Sequence, residues 1–316
     1  MKVVYITGCL GFMGSYATRK ALDKGWFVRG VDKVTYAANL DLVEEFNKYP
    51  NFVFEKCDIK DLDFLYDCDY VINFAAESHV GNSIVSSDQF VESNILGVKN
   101  LLELIKLKPN NCNSRPILFH ISTDEVYGDI EEGFHSEQCL LKPSNPYSAS
   151  KAAGDMLINA WSRTHDIEYI ILRPTNNYGV GQYPEKLIPL SIKNLMRGKK
   201  IRLHNKGTPV RNWLHASDTA DAVMTIIDSG KTNEIYNVSG GFEQTNLETV
   251  KKIIEAYYGT LDGWERCVDF SVRRKGQDVR YALDDLKIRE LGWTPKINFD
   301  EVIGDIVLVH QDVFRW

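Results

Sequence analysis

Six cysteines are scattered at positions 9, 57, 68, 112, 139 and 267, with no CxxC pair and no regular spacing. That scatter argues against a zinc site and against a disulfide framework, so no metal is expected and the reducing cytoplasm is the expected location. Long apolar runs are missing too. Nowhere do about 18 apolar residues follow one another, as a membrane helix requires, and the run VVYI near the N-terminus is too short for the apolar core of a signal peptide. The chain is expected to be cytosolic from its first residue and to have no membrane partner. Positive charge is in short supply, with 37 Lys and Arg against 43 Asp and Glu. A net charge of -6 argues against nucleic acid as a main partner, whose phosphates call for a basic surface, although a local basic spot can still bind a small anion. Internal repeats and low-complexity segments are absent as well. What remains, 44% hydrophobic and 25% charged over 316 residues, describes a globular protein with a sizeable core, in one large domain or two smaller ones.

The first half alternates short β-branched runs with longer helical patterns: KVVYITG, YATRKALDKG, FVRGVD, NFVFEKCDI, YVINFAA, FVESNILGVKNLLELIKL and RPILFHIS. This alternation predicts an α/β fold with a parallel sheet covered by helices. Val91, Ile95, Val98, Leu101, Leu102 and Ile105 follow helical spacing, and Asn94 is a polar intruder on that apolar stripe. NPYSASKAAGDMLINAWSRTHD predicts another helix, capped by Ser144 or Asn145 with Pro146 in its first turn, leading into the strand IEYIILRP. After Pro174 the pattern loosens into TNNYGVGQYPEKLIP, where a second, smaller lobe is expected to begin.

ITGCLGFMG sets Gly8, Gly11 and Gly14 between a predicted strand and a predicted helix. There, a glycine-rich turn lets backbone approach a pyrophosphate at a helix N-terminus. Such glycines also serve tight turning and close packing alone. Asp32 adds weight to the nucleotide reading, because it ends the second strand where an acidic residue accepts hydrogen bonds from an adenosine ribose. Its charge repels a 2′-phosphate, favouring NAD over NADP. Asp58, closing FVFEKCDI, is a candidate for the adenine side.

YSASK places Tyr147 and Lys151 four residues apart, on one helix face. Behind a dinucleotide fold, a lysine ammonium is expected to lower the phenol from its ordinary pKa of about 10 and make it a usable base for a sugar hydroxyl. HISTDEVYG then sets a hydroxyl, Thr123, before two adjacent carboxyl groups, Asp124 and Glu125. Side by side, two carboxyls discourage each other's ionisation, which can leave one an acid and the other a base.

These motifs, with VDKVTYAANL, NFAAESHV, RNWLHASD, YNVSGG and DVRYALD, occur in an order that resembles the extended short-chain dehydrogenase/reductase family over nearly the whole chain. Within that family the sequence is similar to the nucleoside-diphosphoglucose 4,6-dehydratases. The resemblance implies a Rossmann-like doubly wound parallel sheet over residues 1–173, also using about 209–240, with a smaller C-terminal α/β lobe mainly over 174–316 for the sugar nucleotide. It implies NAD as a tightly held catalytic cofactor, bound by Gly8, Gly11, Phe12, Met13, Gly14, Asp32, Lys33, Asp58, Ile59, Ala75, Ala76, Asn94, Tyr147 and Lys151. It gives Thr123 as the hydroxyl partner of Tyr147, Glu125 as the base that removes the C5 proton after C4 is oxidised, and Asp124 as the acid that protonates the leaving C6 hydroxyl. Family 4-epimerases lack this Asp-Glu pair and decarboxylating members carry Ser-Glu. Those enzymes are therefore the nearest rivals, and a non-catalytic NAD-binding regulator is the rival from another class.

The resemblance assigns the substrate to Ser78, His79, Asn177, Glu185, Lys186, Leu187 and Asn246, with Arg211 and Arg274 approaching the diphosphate. His204 and Arg202 stand where thymidine-specific bacterial members have Tyr and Pro, while some UDP-glucose-using members have His, leaving dTDP-glucose and UDP-glucose both open. Gly81, Asn82, Lys275 and Gln277 also depart from the family pattern, all on the substrate side. A homodimer through helices near 90–106 and 147–165 is implied too.

Overall fold

A computed structural model describes residues 1–108, 115–273 and 278–312. Twelve strands are defined among the described residues: β1 Val3–Thr7, β2 Phe27–Asp32, β3 Phe52–Lys56, β4 Tyr70–Asn73, β5 Ile117–Ile121, β6 Tyr169–Pro174, β7 Asn176–Tyr178, β8 Ile201–Arg202, β9 Val210–His215, β10 Glu234–Val238, β11 Glu243–Thr245 and β12 Val268–Asp269. Seven of them form one sheet in the order β10-β6-β5-β4-β1-β2-β3, and every neighbouring pair is parallel. Parallel strands need helical crossovers, so both faces become covered and the interior strands turn almost wholly apolar. Thus β6 is buried at all six positions.

One face packs under helices Phe12–Asp23 and Ala216–Ser229, in a core containing Ile6, Val28, Phe119, Leu172, Val223 and Trp293. The other lies under Gly97–Lys106 and Pro146–His165, with Val71, Leu101, Ile105, Ile158 and Ile171. A separate core, built on Ile192, Leu195, Trp213, Val250, Ile253 and Phe299, holds together the three-stranded sheet β11-β9-β7 and helices Leu187–Met196, Asn246–Tyr258 and Phe299–Asp312.

Two local features bear on function, one departing from the sequence periodicity and one following the expected cap. The expected continuous helix through Asn94 is interrupted: Asp88–Val91 runs into a π-helical turn at Glu92–Leu96 before Gly97–Lys106 begins. The wider turn brings Asn94 inward, where its amide brackets Glu77 through the backbone N–H and C=O and also donates to Ser150. The cap of helix Pro146–His165 is Asn145, whose side chain accepts from Ser148 N–H while the Ser148 hydroxyl returns the contact. This cap fixes where the helix starts and so places Tyr147 one residue inside it.

Strand order reverses between β1 and β4. At such a switch point the loops leaving the two carboxyl ends diverge and open a crevice.

Candidate active site

The crevice is lined by Gly8, Gly11, Phe12, Met13, Gly14, Asp32, Lys33, Asp58, Ile59, Ala75 and Ala76 at one end, and by Thr123, Asp124, Glu125, Tyr147 and Lys151 toward the other. The glycine turn is sterically obligatory. Gly8 has φ +69°, and a Cβ there would stand 2.8 Å from Ala75 N; a Cβ on Gly14 would stand 2.1 Å from Gly8 O. With these positions bare, the N-terminus of helix Phe12–Asp23 points its unpaired N–H groups into the crevice, a cradle for phosphate oxygens. Asp32 ends β2 and is held by Leu10 N–H at 3.1 Å and Val34 N–H at 2.8 Å. Lys33 reaches Ser93 at 2.8 Å and Glu77 at 3.1 Å, with Asp58 at 3.9 Å. Bare glycines at the turn and a carboxylate braced at the end of β2 suit a dinucleotide lacking a 2′-phosphate. Asn94 lies behind the lining, steadying Glu77.

Lys151 is 2% exposed and donates to Ile121 C=O at 2.7 Å, with His120 Nε2 at 3.3 Å. Burial lowers its pKa to about 8, partly offset by the Asp155 carboxylate. The Tyr147 phenol does not lie below its ordinary value as the Tyr-Lys spacing suggested. Burial first, then the charge of Glu125, pushes it well up, opposed by a hydrogen bond with Thr123. Desolvation dominates, because a phenolate is costly in a buried pocket shared with two carboxyls.

Asp124 and Glu125 open a short 3₁₀ turn, Asp124–Tyr127, for which Thr123 is the N-cap, accepting from Glu125 N–H. The turn splits the two carboxyls' surroundings. Asp124 is 2% exposed; Oδ1 accepts from the Thr123 hydroxyl at 3.1 Å, and Oδ2 is buried with no hydrogen-bond partner. Burial, then the neighbouring Glu125, raises its pKa to about 7. Glu125 is also raised by burial, but Arg211, the Asn145 amide at 3.3 Å and Lys186 hold it down.

Among the substrate-side candidates, Ser78, Asn177, Glu185 and Lys186 line the same crevice. Lys186 donates to Ser78 C=O at 2.6 Å, and Glu185 accepts from Tyr36 at 2.8 Å. Asn177 spends its amide internally, on Thr219 and Thr175. His79 caps helix Val80–Val85 by accepting from Asn82 N–H. Leu187 begins the helix that follows Lys186. Arg211, expected at the diphosphate, lies 4.6 Å from the Tyr281 ring and donates to Asp278 C=O, with its charge felt by both acids. Arg202 and His204 are exposed at β8 and the turn after it, and Asn246 opens helix Asn246–Tyr258; these three stand apart from the crevice lining. Arg274, Lys275 and Gln277 lie outside the described residues. Sequence reasoning missed Glu77, Gln182 and Tyr183 on the lining, and Tyr281 beside Glu125. For Tyr281 the signal was present in DVRYALD, but nothing there singled out the tyrosine.

A doubly wound sheet, a glycine cradle at its switch point and a buried Tyr-Lys pair beside two acids define a dinucleotide-dependent α/β enzyme. A profile of the GDP-mannose 4,6 dehydratase family matches residues 5–306, and the chain belongs to that family. It is 41% identical over 328 residues to the dTDP-glucose 4,6-dehydratase of Haemophilus influenzae, covering 97% of each chain. Against the dTDP-glucose 4,6-dehydratase of Streptomyces niveus it is 39% identical over 327 residues, covering 99% of this chain and 94% of the other. Its fold is similar to that of DesIV, the dTDP-glucose 4,6-dehydratase of Streptomyces venezuelae crystallised with NAD and TYD bound, with a TM-score of 0.90, 35% identity, and coverage of 99% and 97%.

Proposed function

We propose that this chain is an NAD-dependent nucleoside-diphosphoglucose 4,6-dehydratase acting on dTDP-glucose. The observation that carries the reading is Asp124 Oδ2, a partnerless buried carboxyl oxygen beside Glu125 on the wall that also carries Tyr147 and Lys151. Thr123 holds Oδ1, which leaves Oδ2 on the crevice wall open to a substrate hydroxyl. Bound in the crevice, NAD supplies a hydride acceptor for C4 and the same hydride later for C6. Tyr147, linked to Thr123, takes the C4 hydroxyl proton, and the Lys151 ammonium stabilises the phenolate that would otherwise be costly there. Glu125 removes the C5 proton made acidic by the new C4 ketone and returns it to C5 once C6 has been reduced. Asp124, about half protonated near pH 7, protonates the departing C6 hydroxyl. A 4-epimerase or decarboxylase has no need of that second acid, and a binding-only regulator has no need of the set.

Residues 1–173 with about 209–240 serve as the NAD half, and the remainder as the sugar-nucleotide lobe. Thymidine is favoured by the substrates named for the relatives; His204 and Arg202 make UDP-glucose the control. The protein is further read as a cytoplasmic homodimer, supported by free cysteines and by exposed Val91, Leu96 and Met156 along the proposed helical interface.

Mass spectrometry of dTDP-glucose and of UDP-glucose, each incubated with the purified protein and NAD, tests this. Loss of one water from dTDP-glucose is the expected outcome. Two unchanged substrates would overturn it.

A further inference from the structure

Glu125 touches a segment that has no assigned role. Residues 278–281 are clamped to the rest of the protein: Val210 N–H donates to Val279 C=O at 2.8 Å, Ile130 N–H donates to Arg280 C=O at 3.0 Å, and Arg280 pairs with Glu243 at 2.8 Å. From this segment Tyr281, 3% exposed, and Asp278, 5% exposed, face the acid pair. The Tyr281 hydroxyl lies 3.4 Å from Glu125 Oε2 and makes a short hydrogen bond to Asp278 Oδ2. Ser144 also donates to that Asp278 oxygen, at 2.6 Å. Arg211 covers the Tyr281 ring at 4.6 Å.

A phenol has one proton, and here it stands between two carboxyl groups. We propose that Tyr281 is a positioning residue for Glu125, its hydroxyl turning between Glu125 and Asp278 as Glu125 gains and loses a proton. The proposal rests on the reading of Glu125 as the C5 base. While Glu125 is ionised, Tyr281 donates to it. Once Glu125 has taken the C5 proton it becomes a donor, and the phenol oxygen accepts from it while the phenol proton turns to Asp278. No proton crosses Tyr281; only the C–O torsion changes. A single fixed donor would favour the ionised base alone, and a single fixed acceptor its protonated form alone. A turning hydroxyl keeps Glu125 in place through both halves of the cycle, which matters because the proton must be taken at one step and the C5 carbanion face held during the next.

Charged and titratable groups facing Glu125 are Asp124 from its own turn, Tyr147 from the helix behind, Lys186, Arg211 from β9, and Asp278 with Tyr281. Two substitutions separate a turning donor from simple packing. Tyr281→Phe removes a hydrogen bond to the ionised base, so the base weakens as an anion: its pKa rises and the acid limb of the pH–kcat profile moves to higher pH. Asp278→Asn removes a neighbouring negative charge and replaces the competing carboxylate by a weaker, neutral acceptor, so the acid limb moves to lower pH. The full-length protein with NAD and dTDP-glucose is assayed for kcat, KM and exchange of the C5 hydrogen in deuterated water. Tyr281→Phe should lower kcat and C5 exchange about tenfold with KM nearly unchanged. Opposite displacements of the acid limb support the proposal, and either variant alone decides it if the other fails to fold. Limbs that stay in place, or move the same way, overturn the proposal while leaving the dehydratase reading intact. A wild-type protein that neither exchanges C5 nor loses water overturns both.

Discussion

Replacing Asp124 with Asn should separate two halves of one reaction. The carboxyl is 2% exposed, and its pKa is lifted from 3.8 to about 7. At the ordinary value roughly one molecule in 1,600 would hold the proton at pH 7; at about 7, half do. The rise therefore supplies a several-hundredfold gain in usable acid, within the roughly 10²- to 10⁴-fold range of general acid catalysis. Asparagine supplies no proton. Turnover should fall about 10²- to 10³-fold, while C4 oxidation, which depends on Tyr147, continues. Rapid quenching followed by mass spectrometry distinguishes the two: the oxidised hexose has lost two hydrogens, the final product one water. Wild-type turnover should decline above pH 7 as Asp124 loses its proton, and again above about 8 as Lys151 does. The variant should keep only the second decline.

The same shift has a cost in stability, with a definite sign. Between about pH 4 and 7 the folded chain holds a proton that the unfolded chain has released, so stability falls as pH rises, by about 1.4 kcal/mol per unit. Above pH 7 the penalty stays near about 4 kcal/mol. Asp124→Asn removes it, and the variant should melt several degrees above wild type at pH 8, with the advantage vanishing near pH 4. Equal loss of oxidation and water loss, or an unaltered decline above pH 7, would refute the assignment of Asp124 as the acid.

Tyr147→Phe should abolish oxidation and water loss together, by roughly a thousandfold; accumulation of the oxidised hexose in this variant would contradict its role as base. Gly14→Ala drives a Cβ to 2.1 Å from Gly8 O, so the helix must retreat from the turn. Mass spectrometry of the desalted protein should then find the dinucleotide lost, and full retention would argue against the cradle. Arg173, 2% exposed, is paired with Asp155 at 2.9 Å. Arg173→Met removes the guanidinium paired with that buried carboxylate, leaving it only the more distant charge of Lys151, and should cost about 3–5 kcal/mol in denaturant titration. A loss below about 1 kcal/mol would mean that Asp155 takes up a proton instead.

The local features were legible from residues. β-Branched runs mark strands because both sheet faces are covered; the glycines mark a turn that tolerates no Cβ; Asn145 and Pro146 mark a helix start. What escaped the sequence depends on contacts across the chain. Tyr281 meets Glu125 over a separation of 156 residues, and no periodicity encodes such a meeting. Asn94 was visible as an intruder, yet the π-helical turn that carries it inward is an added residue in a pattern read at 3.6 per turn. The Tyr147 expectation failed for a related reason. Four-residue spacing reveals that a lysine is near, whereas the dominant influence, burial, depends on every element that closes over the site.

Burial acts on both carboxyls of the turn and on the phenol beside them. Asp124, Glu125 and Tyr147 are all driven toward their neutral forms by the same desolvation. A common cause cannot assign different roles, so the difference must come from partners. Arg211 acts on both carboxyls, but only Glu125 also has Lys186 and the Asn145 amide. Asp124 Oδ2 has none. The neighbouring Glu125 is in turn the second influence, after burial, that drives Asp124 toward its neutral form. The difference between the two carboxyls is set by residues from three separate parts of the chain meeting at one short turn.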